Sequence, residues 1–154
     1  MSIQDQIERV MVLRAPRERV WAALTEAAEL SRWFGDTAEI DLRPGGELVL
    51  GWEEHGVGRC RIEVVEPPRR FAYRWHAPGA DEDAPIEAGP NTLVEFTLDE
   101  VPEGTRLTLI ESGFASLPSD IAAKAFEDNT GGWASELGEL AAYIEAAPVP
   151  AGSA

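Results

Sequence analysis

The stretch TLVEFTLDEVPEGTRLTLIE, Thr92–Glu111, decides the fold of this chain. Glu103 and Gly104 supply a tight turn near its middle, and Leu107 and Leu109 continue the alternation of apolar side chains beyond it. Because successive side chains of a strand point to opposite faces of a sheet, the pattern predicts an antiparallel hairpin with one buried face. The buried face of its first strand is predicted to carry Thr92, Val94, Phe96 and Leu98.

The same two-residue period recurs on the N-terminal side of this hairpin. Further alternating segments lie at residues 37–42, 47–52, 59–64 and 70–75. In the third of them, Cys60, Ile62 and Val64 are predicted to form the inward face. An extended apolar segment at residues 7–13 adds a first strand. Short strands joined by tight turns favour a curved antiparallel sheet, here of about seven strands, with one buried and one wet face.

Helical signals lie at both ends of this strand-rich middle. Pro16 is predicted to open a short helix after the first strand, because a first-turn position does not need its missing N–H. A second short helix carries Leu30, Trp33 and Phe34 at the i, i+3, i+4 spacing of one helical face.

A long C-terminal helix is predicted after Pro118, with Ser119 as its N-cap. Its apolar stripe comprises Phe126, Trp133, Leu137, Leu140, Ala141 and Ile144. Gly131 and Gly132 interrupt the pattern and are predicted to kink the helix or split it in two. The helix is expected to cover the sheet, which gives an α+β fold with residues 1–146 as a single domain and residues 147–154 as a disordered tail.

Charge and composition exclude several classes of partner. The chain has 154 residues and a formal net charge of −15, which repels nucleic-acid backbones and anionic membrane surfaces. No segment approaches the roughly 20 apolar residues that a membrane-spanning helix needs. The N-terminus lacks the basic and apolar regions of a signal peptide, so we expect a cytoplasmic protein. Cys60 is the only cysteine, which excludes an intrachain disulfide and a cysteine metal cluster.

Large apolar side chains on the predicted inward faces indicate a ligand cavity between the sheet and the long helix. Each ring alone is also compatible with plain core packing. Together, large rings under a helix leave irregular space, and ligand pockets are typically apolar with a few polar groups. The predicted lining is Trp33, Phe34, Trp52, Tyr73, Trp75, Phe96, Glu111, Phe114, Phe126, Trp133 and Leu137.

Glu111 is the most suggestive polar residue in this set. It follows Leu109 by two positions, so strand alternation points it inward, where an unpaired carboxylate would be expensive to bury. One alternative is a paired or cavity-facing carboxylate that anchors a ligand or acts as an acid or base. The other is that the strand ends here and that Glu111 reaches solvent near Ser112.

The remaining chemistry-bearing residues favour structural interpretations. His55 and His76 fall on separate turns, and we expect both to be solvated. Cys60 is expected to be a small buried hydrophobe rather than a reactive thiol. The acidic run Asp81–Asp83 lacks calcium-loop spacing and is expected to be a solvated loop. No zinc motif, nucleophile elbow or phosphate loop occurs, so no metal, cofactor or catalytic residue is predicted.

The order of these segments resembles the family of activator-of-heat-shock-protein-90-ATPase homologues, within the START-like SRPBCC superfamily. The motifs that carry the resemblance are residues 15–25, Arg32-Trp33-Phe34, residues 43–47, residues 66–71, residues 104–109, and Gly132-Trp133 with Leu137 and Leu140. The resemblance covers about residues 5–146. It implies a helix-grip fold, in which the sheet wraps around the C-terminal helix and encloses a cavity. It implies no common catalytic residue set.

Three functions follow as hypotheses. The first is a protein that binds a small hydrophobic, lipid-like or polyketide-like molecule. The second is a co-regulator of a chaperone ATPase, with the chaperone as its partner, as the family resemblance implies. The third is an enzyme of the cyclase or aromatase type acting in the same cavity. We rank it below simple binding because the inward polar candidates are few, namely Glu111, Tyr73 and one of His55 and His76. The sequence leaves the oligomeric state open.

Overall fold

The structure is a computed structural model that describes residues 5–53, 56–77 and 84–146. Its strands are β1 (Gln6–Leu13), β2 (Thr37–Ile40), β3 (Glu47–Trp52), β4 (Gly56–Glu66), β5 (Arg70–His76), β6 (Asn91–Val101) and β7 (Gly104–Ser112). Its α-helices are α1 (Arg17–Thr25), α2 (Ala27–Trp33) and α3 (Ser119–Ala146). His55, Asp81–Asp83 and the predicted tail at residues 147–154 lie outside the described residues.

The described strands form one antiparallel sheet in the order β1-β7-β6-β5-β4-β3-β2. Neighbours in sequence are neighbours in the sheet from β2 to β7, and β1 closes the order by pairing with β7. The predicted sheet of about seven antiparallel strands is therefore confirmed. With α3 covering one face, the architecture is the α+β helix-grip fold that the segment order predicts.

The strand alternation predicts the buried face of the central hairpin correctly. Val94, Phe96 and Leu98 on β6 are at most 2% exposed. Leu107 and Leu109 on β7 are fully buried beside them. This face is the floor on which the helices pack.

A β-bulge in β4 changes the inward face that simple alternation predicts. The register with β5 shifts between Ile62 and Val64, so that Val65 rather than Val64 stands opposite the buried Phe71. Val65 packs against the core. The prediction of Val64 as an inward residue is wrong because a bulge inserts one extra residue and reverses the alternation after it.

Helix α3 is continuous from Ser119 to Ala146 and is not split at Gly131 and Gly132. A Cβ placed on either glycine meets no described atom within 4 Å, so neither is required by close packing. The carbonyl of Pro118 accepts hydrogen bonds from the backbone N–H groups of Ile121 and Ala122. Pro118 is therefore the N-cap residue, and Ser119 lies in the first turn rather than at the predicted N-cap position.

The two short helices hold α3 against the sheet. Trp33 at the end of α2 donates its indole N–H to the carbonyl of Ala23 in α1 at 2.8 Å. Glu29 of α2 accepts hydrogen bonds from Arg19 of α1 and from the Tyr143 hydroxyl of α3. These contacts join the three helices into one layer over the inner face. None of the described helices combines the length and hydropathy that crossing a membrane requires.

Candidate functional site

Glu111 lies at the centre of the inner face, where β7 passes beneath α3. Its side chain is fully buried, so the inward alternative is the one the structure shows. Trp133 donates its indole N–H to Oε1 at 2.8 Å. Trp75 and Asn129 donate to Oε2, each at 2.9 Å, and the Thr92 hydroxyl donates to the same oxygen. Four donors on one carboxylate account for the burial of this group without a counter-ion.

The four donors come from three separate elements. Trp75 is on β5 and Thr92 on β6, whereas Asn129 and Trp133 are one helical turn apart on α3. Asn129 and Trp133 stand at an i, i+4 spacing, which places them on the same face of the helix. Glu111 therefore ties the sheet to the long helix at one point and sets the orientation of two indole rings.

The two indoles belong to a cluster of aromatic rings. Trp75 and Trp133 stack with ring centroids 5.4 Å apart. Phe34, next to the end of α2, lies 5.7 Å from Trp133 and 5.9 Å from Trp52. Trp52 donates its own N–H to the carbonyl of Phe34 at 2.8 Å. The polar edges of Trp52 and Trp75 are thus bound inside the protein, and both rings remain only partly buried.

This cluster forms the wall of a cleft of about 180 Å³ between the sheet and α3. The aromatic lining consists of Phe34, Trp52, Trp75 and Trp133. The helical lining consists of Asn129, Gly132 and Glu136. We call this space the aromatic cleft.

A second space of about 180 Å³ adjoins the aromatic cleft. Trp52, Trp75 and Asn129 line both spaces, so the two meet along these side chains. The second space extends along β4 to Cys60 and His76 at the end of β5. We call it the side lobe.

The structure brings together about half of the residues predicted to line a cavity. Phe34, Trp52, Trp75 and Trp133 line the aromatic cleft, and Glu111 lies directly beneath it. Trp33, Tyr73, Phe96, Phe114 and Leu137 are buried in the core. Phe126 packs edge-on against Phe114, 5.3 Å between centroids. Much of the interior predicted to be cavity is thus occupied by protein side chains.

Glu136 is the titratable group on the rim of the aromatic cleft. Burial raises its pKa from the ordinary 4.5 to about 7, and the negative charge of Glu139 adds to this effect. Near neutral pH, the carboxyl is therefore divided between its neutral and charged forms. The cleft becomes less polar as the pH falls.

Tyr73 lies in the core next to this site. Its hydroxyl has no hydrogen-bond partner among the described residues. Burial raises its pKa well above the ordinary value of 10.0, and the charges of Cys60, Glu111 and Glu136 act in the same direction. Tyr73 is therefore held as a neutral phenol and cannot serve as a base at physiological pH.

His76 contradicts its predicted solvated position. It is 7% exposed, and neither ring nitrogen has a hydrogen-bond partner among the described residues. Cys60 beside it is buried, as predicted. The part of the chain that the structure describes contains no group of three or more acidic, histidine or cysteine side chains able to hold a metal ion.

The residues that sequence reasoning missed are His76 and the polar rim of the cleft. Asn129, Gly132 and Glu136 follow one another at spacings of three and four, so they form one helical line beside the apolar stripe of α3. That spacing is a signal that could have identified the rim. No comparable local signal marks His76.

Comparison with known proteins places this architecture in a family. The model of the family described as "Activator of Hsp90 ATPase homolog 1-like protein" matches residues 14–145. The chain belongs to this family. The resemblance identified from the motifs is thereby confirmed. A search of curated proteins gave no match.

Several solved structures share this fold. MLL2253 from Mesorhizobium loti is 22% identical, with a TM-score of 0.77 over 94% of this chain and 99% of that chain. DynU16, from the dynemicin biosynthetic locus, is 26% identical with a TM-score of 0.74 over 92% of this chain. This chain spans only 48% of DynU16. CalU16 from Micromonospora echinospora is 28% identical with a TM-score of 0.64, over 90% of this chain and 74% of that chain.

Proposed function

We propose that this protein binds a small apolar molecule with an aromatic ring in the aromatic cleft. The observation that carries the proposal is the state of Trp52 and Trp75. Both rings are partly exposed at the cleft, yet both indole N–H groups are bound to the protein interior. The rings therefore offer apolar and π surface in orientations that are set before any ligand arrives, which lowers the entropic cost of binding.

The size of the cleft limits the ligand. Pockets for drug-sized molecules typically have volumes of about 300–1,000 Å³, whereas the aromatic cleft has about 180 Å³. We infer a ligand with one or two fused rings, lying between Trp52 and the helix, with further groups extending into the side lobe. A long lipid chain fits this space poorly.

The similarity to DynU16 supports a small-molecule ligand. That protein comes from a biosynthetic locus, and at 26% identity it shares this fold over 92% of the present chain. The ligand class proposed for the present chain is inferred from the lining of its own cleft and not from DynU16.

Gly132 provides a direct test because it lines the cleft and has free space around it. Gly132→Leu should place a side chain in the cleft without displacing the core. We expect it to weaken binding of 2-methylnaphthalene at least about tenfold, equivalent to about 1.4 kcal/mol. The measurement is quenching of tryptophan fluorescence during titration.

Gly131→Leu is the matched control. It makes the same change one position earlier, at a glycine that does not line the cleft and where a side chain also has free space. Both variants gain helix propensity, so stability alone cannot separate them. Equal affinity in Gly132→Leu and Gly131→Leu, or no binding by the wild type, would contradict the proposal.

Regulation of a chaperone ATPase and cyclase-type catalysis stay predictions from the resemblance. The name of the matching family refers to an Hsp90 ATPase activator. An ATPase assay with the purified host chaperone tests the first role. Stimulation that persists in Gly132→Leu would assign it to a surface other than the cleft.

A further inference from the structure

Glu136 is a carboxyl group of the aromatic cleft that has no partner among the described residues. It is half-buried on α3 and lines the cleft beside Trp52 and Trp75. No described residue donates a hydrogen bond to this carboxyl group or forms an ion pair with it. The neighbouring charge that acts on it is that of Glu139, a second carboxylate. A carboxylate held partly out of water without a counter-ion gains from a positive charge that arrives from outside the protein.

Two observations place the carboxyl group of Glu136 on the cleft side of α3. It lines the cleft together with Gly132, which precedes it by four positions and so lies on the same helical face. Burial and nearby negative charges, that of Glu136 among them, raise the pKa of Tyr73, which is buried on β5. A cation bound by Glu136 would therefore lie in the cleft and not on the outer surface of the helix.

The indole rings of the cleft wall suit a cation as well. A cation within about 6 Å of the centroid of a tryptophan ring is attracted by the π electrons of that ring. Trp52 and Trp75 are partly exposed at the cleft. Trp75 also donates its N–H to the carboxylate of Glu111 at 2.9 Å. A donor bound to an anion is polarised by it, so this ring becomes more electron-rich and attracts a cation more strongly.

The charges around the cleft favour a cation over an anion. Neither lysine nor arginine occurs among the described residues that line it. The formal net charge of −15 raises the local concentration of cations around the whole chain. A metal ion is a poorer candidate than an organic cation, because the part of the chain that the structure describes has no group of three or more suitable ligands. An organic cation needs only one carboxylate and π surface.

We propose that the ligand of the aromatic cleft is an aromatic molecule with a protonated amine, and that Glu136 binds this ammonium group beside Trp52 and Trp75. This inference rests on the proposed function and specifies the ligand class. The ring system lies between Trp52 and α3, and the ammonium group lies at the rim. Its N–H groups donate to the carboxylate of Glu136 in charge-assisted hydrogen bonds. Apart from this one substituent, the ligand is apolar.

Three probes of nearly equal shape test the inference. 2-Ethylnaphthalene, 2-naphthylmethanol and 2-(aminomethyl)naphthalene differ only in the last group of the side chain, which is a methyl, a hydroxyl or an ammonium group. Calorimetric titrations are made at pH 8, where the carboxyl group of Glu136, with its pKa of about 7, is mostly ionised and the amine is protonated. We expect Glu136→Gln to lower the affinity for 2-(aminomethyl)naphthalene about tenfold relative to 2-ethylnaphthalene. The affinity for 2-naphthylmethanol should follow that for 2-ethylnaphthalene.

Glu136→Gln keeps the shape of the side chain and removes a burial penalty, so we expect it to fold as the wild type does. Glu127→Gln is the matched control. It removes the same charge from an exposed position of α3 that does not line the cleft. If Glu127→Gln lowered the affinity for the amine as much as Glu136→Gln, the loss would reflect the overall charge of the protein, and the ammonium site would be overturned.

The outcomes separate this inference from the proposed function. If no probe binds in a manner sensitive to Gly132→Leu, the proposed function fails. If 2-ethylnaphthalene binds in that manner, but the amine does not bind or loses no additional affinity in Glu136→Gln, the ammonium site is overturned and the proposed function stands. Equal losses for 2-naphthylmethanol and the amine would show that Glu136 accepts a hydrogen bond without selecting a charge, which also overturns the inference.

Discussion

At the scale of single residues, Glu111 shows how one buried carboxylate can fix the positions of side chains from several elements. It takes hydrogen bonds from two strands and from α3. Two of the donors are indoles whose rings form the cleft wall. Removing the charge should therefore affect both stability and the shape of the cleft.

Glu111→Gln tests this role with little change in size. The new amide would direct its own N–H groups toward donors that now meet an oxygen. We expect the free energy of unfolding to fall by about 2–3 kcal/mol, the range for a buried hydrogen bond to a charged group and its unpaired partners. Chemical denaturation followed by tryptophan fluorescence measures the change.

Glu95→Gln is the control for that prediction. Glu95 is on the neighbouring strand and forms a partly exposed ion pair with Arg70 at 2.7 Å. Such pairs contribute at most about 1 kcal/mol. If the two variants lost the same stability, the four hydrogen bonds to Glu111 would contribute no more to folding than a partly exposed ion pair.

Glu136 predicts a pH dependence with a definite sign. Its pKa is raised from 4.5 to about 7 by burial, so the folded state retains a proton that the unfolded state has lost between these values. Stability attributable to this group is therefore fully present below about pH 4.5 and is lost as the pH rises through about 7. Glu136→Gln should leave the melting temperature unchanged near pH 4.5 and raise it at pH 8.

Thermal melts of Glu136→Gln and Glu127→Gln over this pH range provide the comparison. Glu127 is on the same helix and is exposed, so its substitution removes one charge without relieving a burial penalty. If melting temperature changed with pH in the same way in the wild type and in Glu136→Gln, the pH-dependent stability could not be assigned to Glu136.

His76 shows where residue-level reading of the sequence reaches its limit. Its burial depends on where β5 separates from β4, a relation between segments about 16 residues apart that no local pattern encodes. The inward direction of Glu111 follows from alternation. Its four hydrogen-bond partners do not, because they come from β5, β6 and α3.

At the scale of elements, hydrophobic periodicity predicted the structure well wherever one face of an element is buried. The inward residues of β6 and β7 follow strict alternation, since a one-residue slip would move all of them to the wet face. The exception is β4, where the bulge after Ile62 reverses the order. Nothing in the local sequence GRCRIEVVE separates a bulged strand from a regular one, because Val64 and Val65 are equally apolar.

Helix α3 illustrates a different limit. Two consecutive glycines cost about 2 kcal/mol relative to alanine, which favours a break in an isolated helix. In the protein, the helix continues because Trp133, Leu137 and Leu140 on its buried face pack against the sheet. Tertiary packing outweighs local propensity, and the glycines leave space on the outer side that includes the rim of the cleft.

At the scale of the whole molecule, the sequence predicts the fold but not the dimensions of the cleft on which the proposed function depends. The helix-grip fold follows from the order of segments, and the family match confirms it over residues 14–145. The dimensions of the cleft do not follow, because they depend on which rings fill the interior. Four of the predicted aromatic residues form its wall, whereas others with the same spacing pack the core.

The net charge of −15 leads to a prediction for the whole chain. Mutual repulsion of the carboxylates destabilises a compact state, and salt screens it. Raising sodium chloride from about 10 mM to about 100 mM shortens the Debye length from about 30 Å to about 10 Å. Surface ion pairs such as Arg61 with Glu63 weaken under the same conditions, but each contributes little. We therefore expect net stabilisation, with a rise of about 2–4 °C in melting temperature for each 1 kcal/mol gained.

Tetramethylammonium chloride should give the same shift at equal ionic strength, since screening does not depend on the cation. A fall in melting temperature would show instead that the ion pairs outweigh the net repulsion.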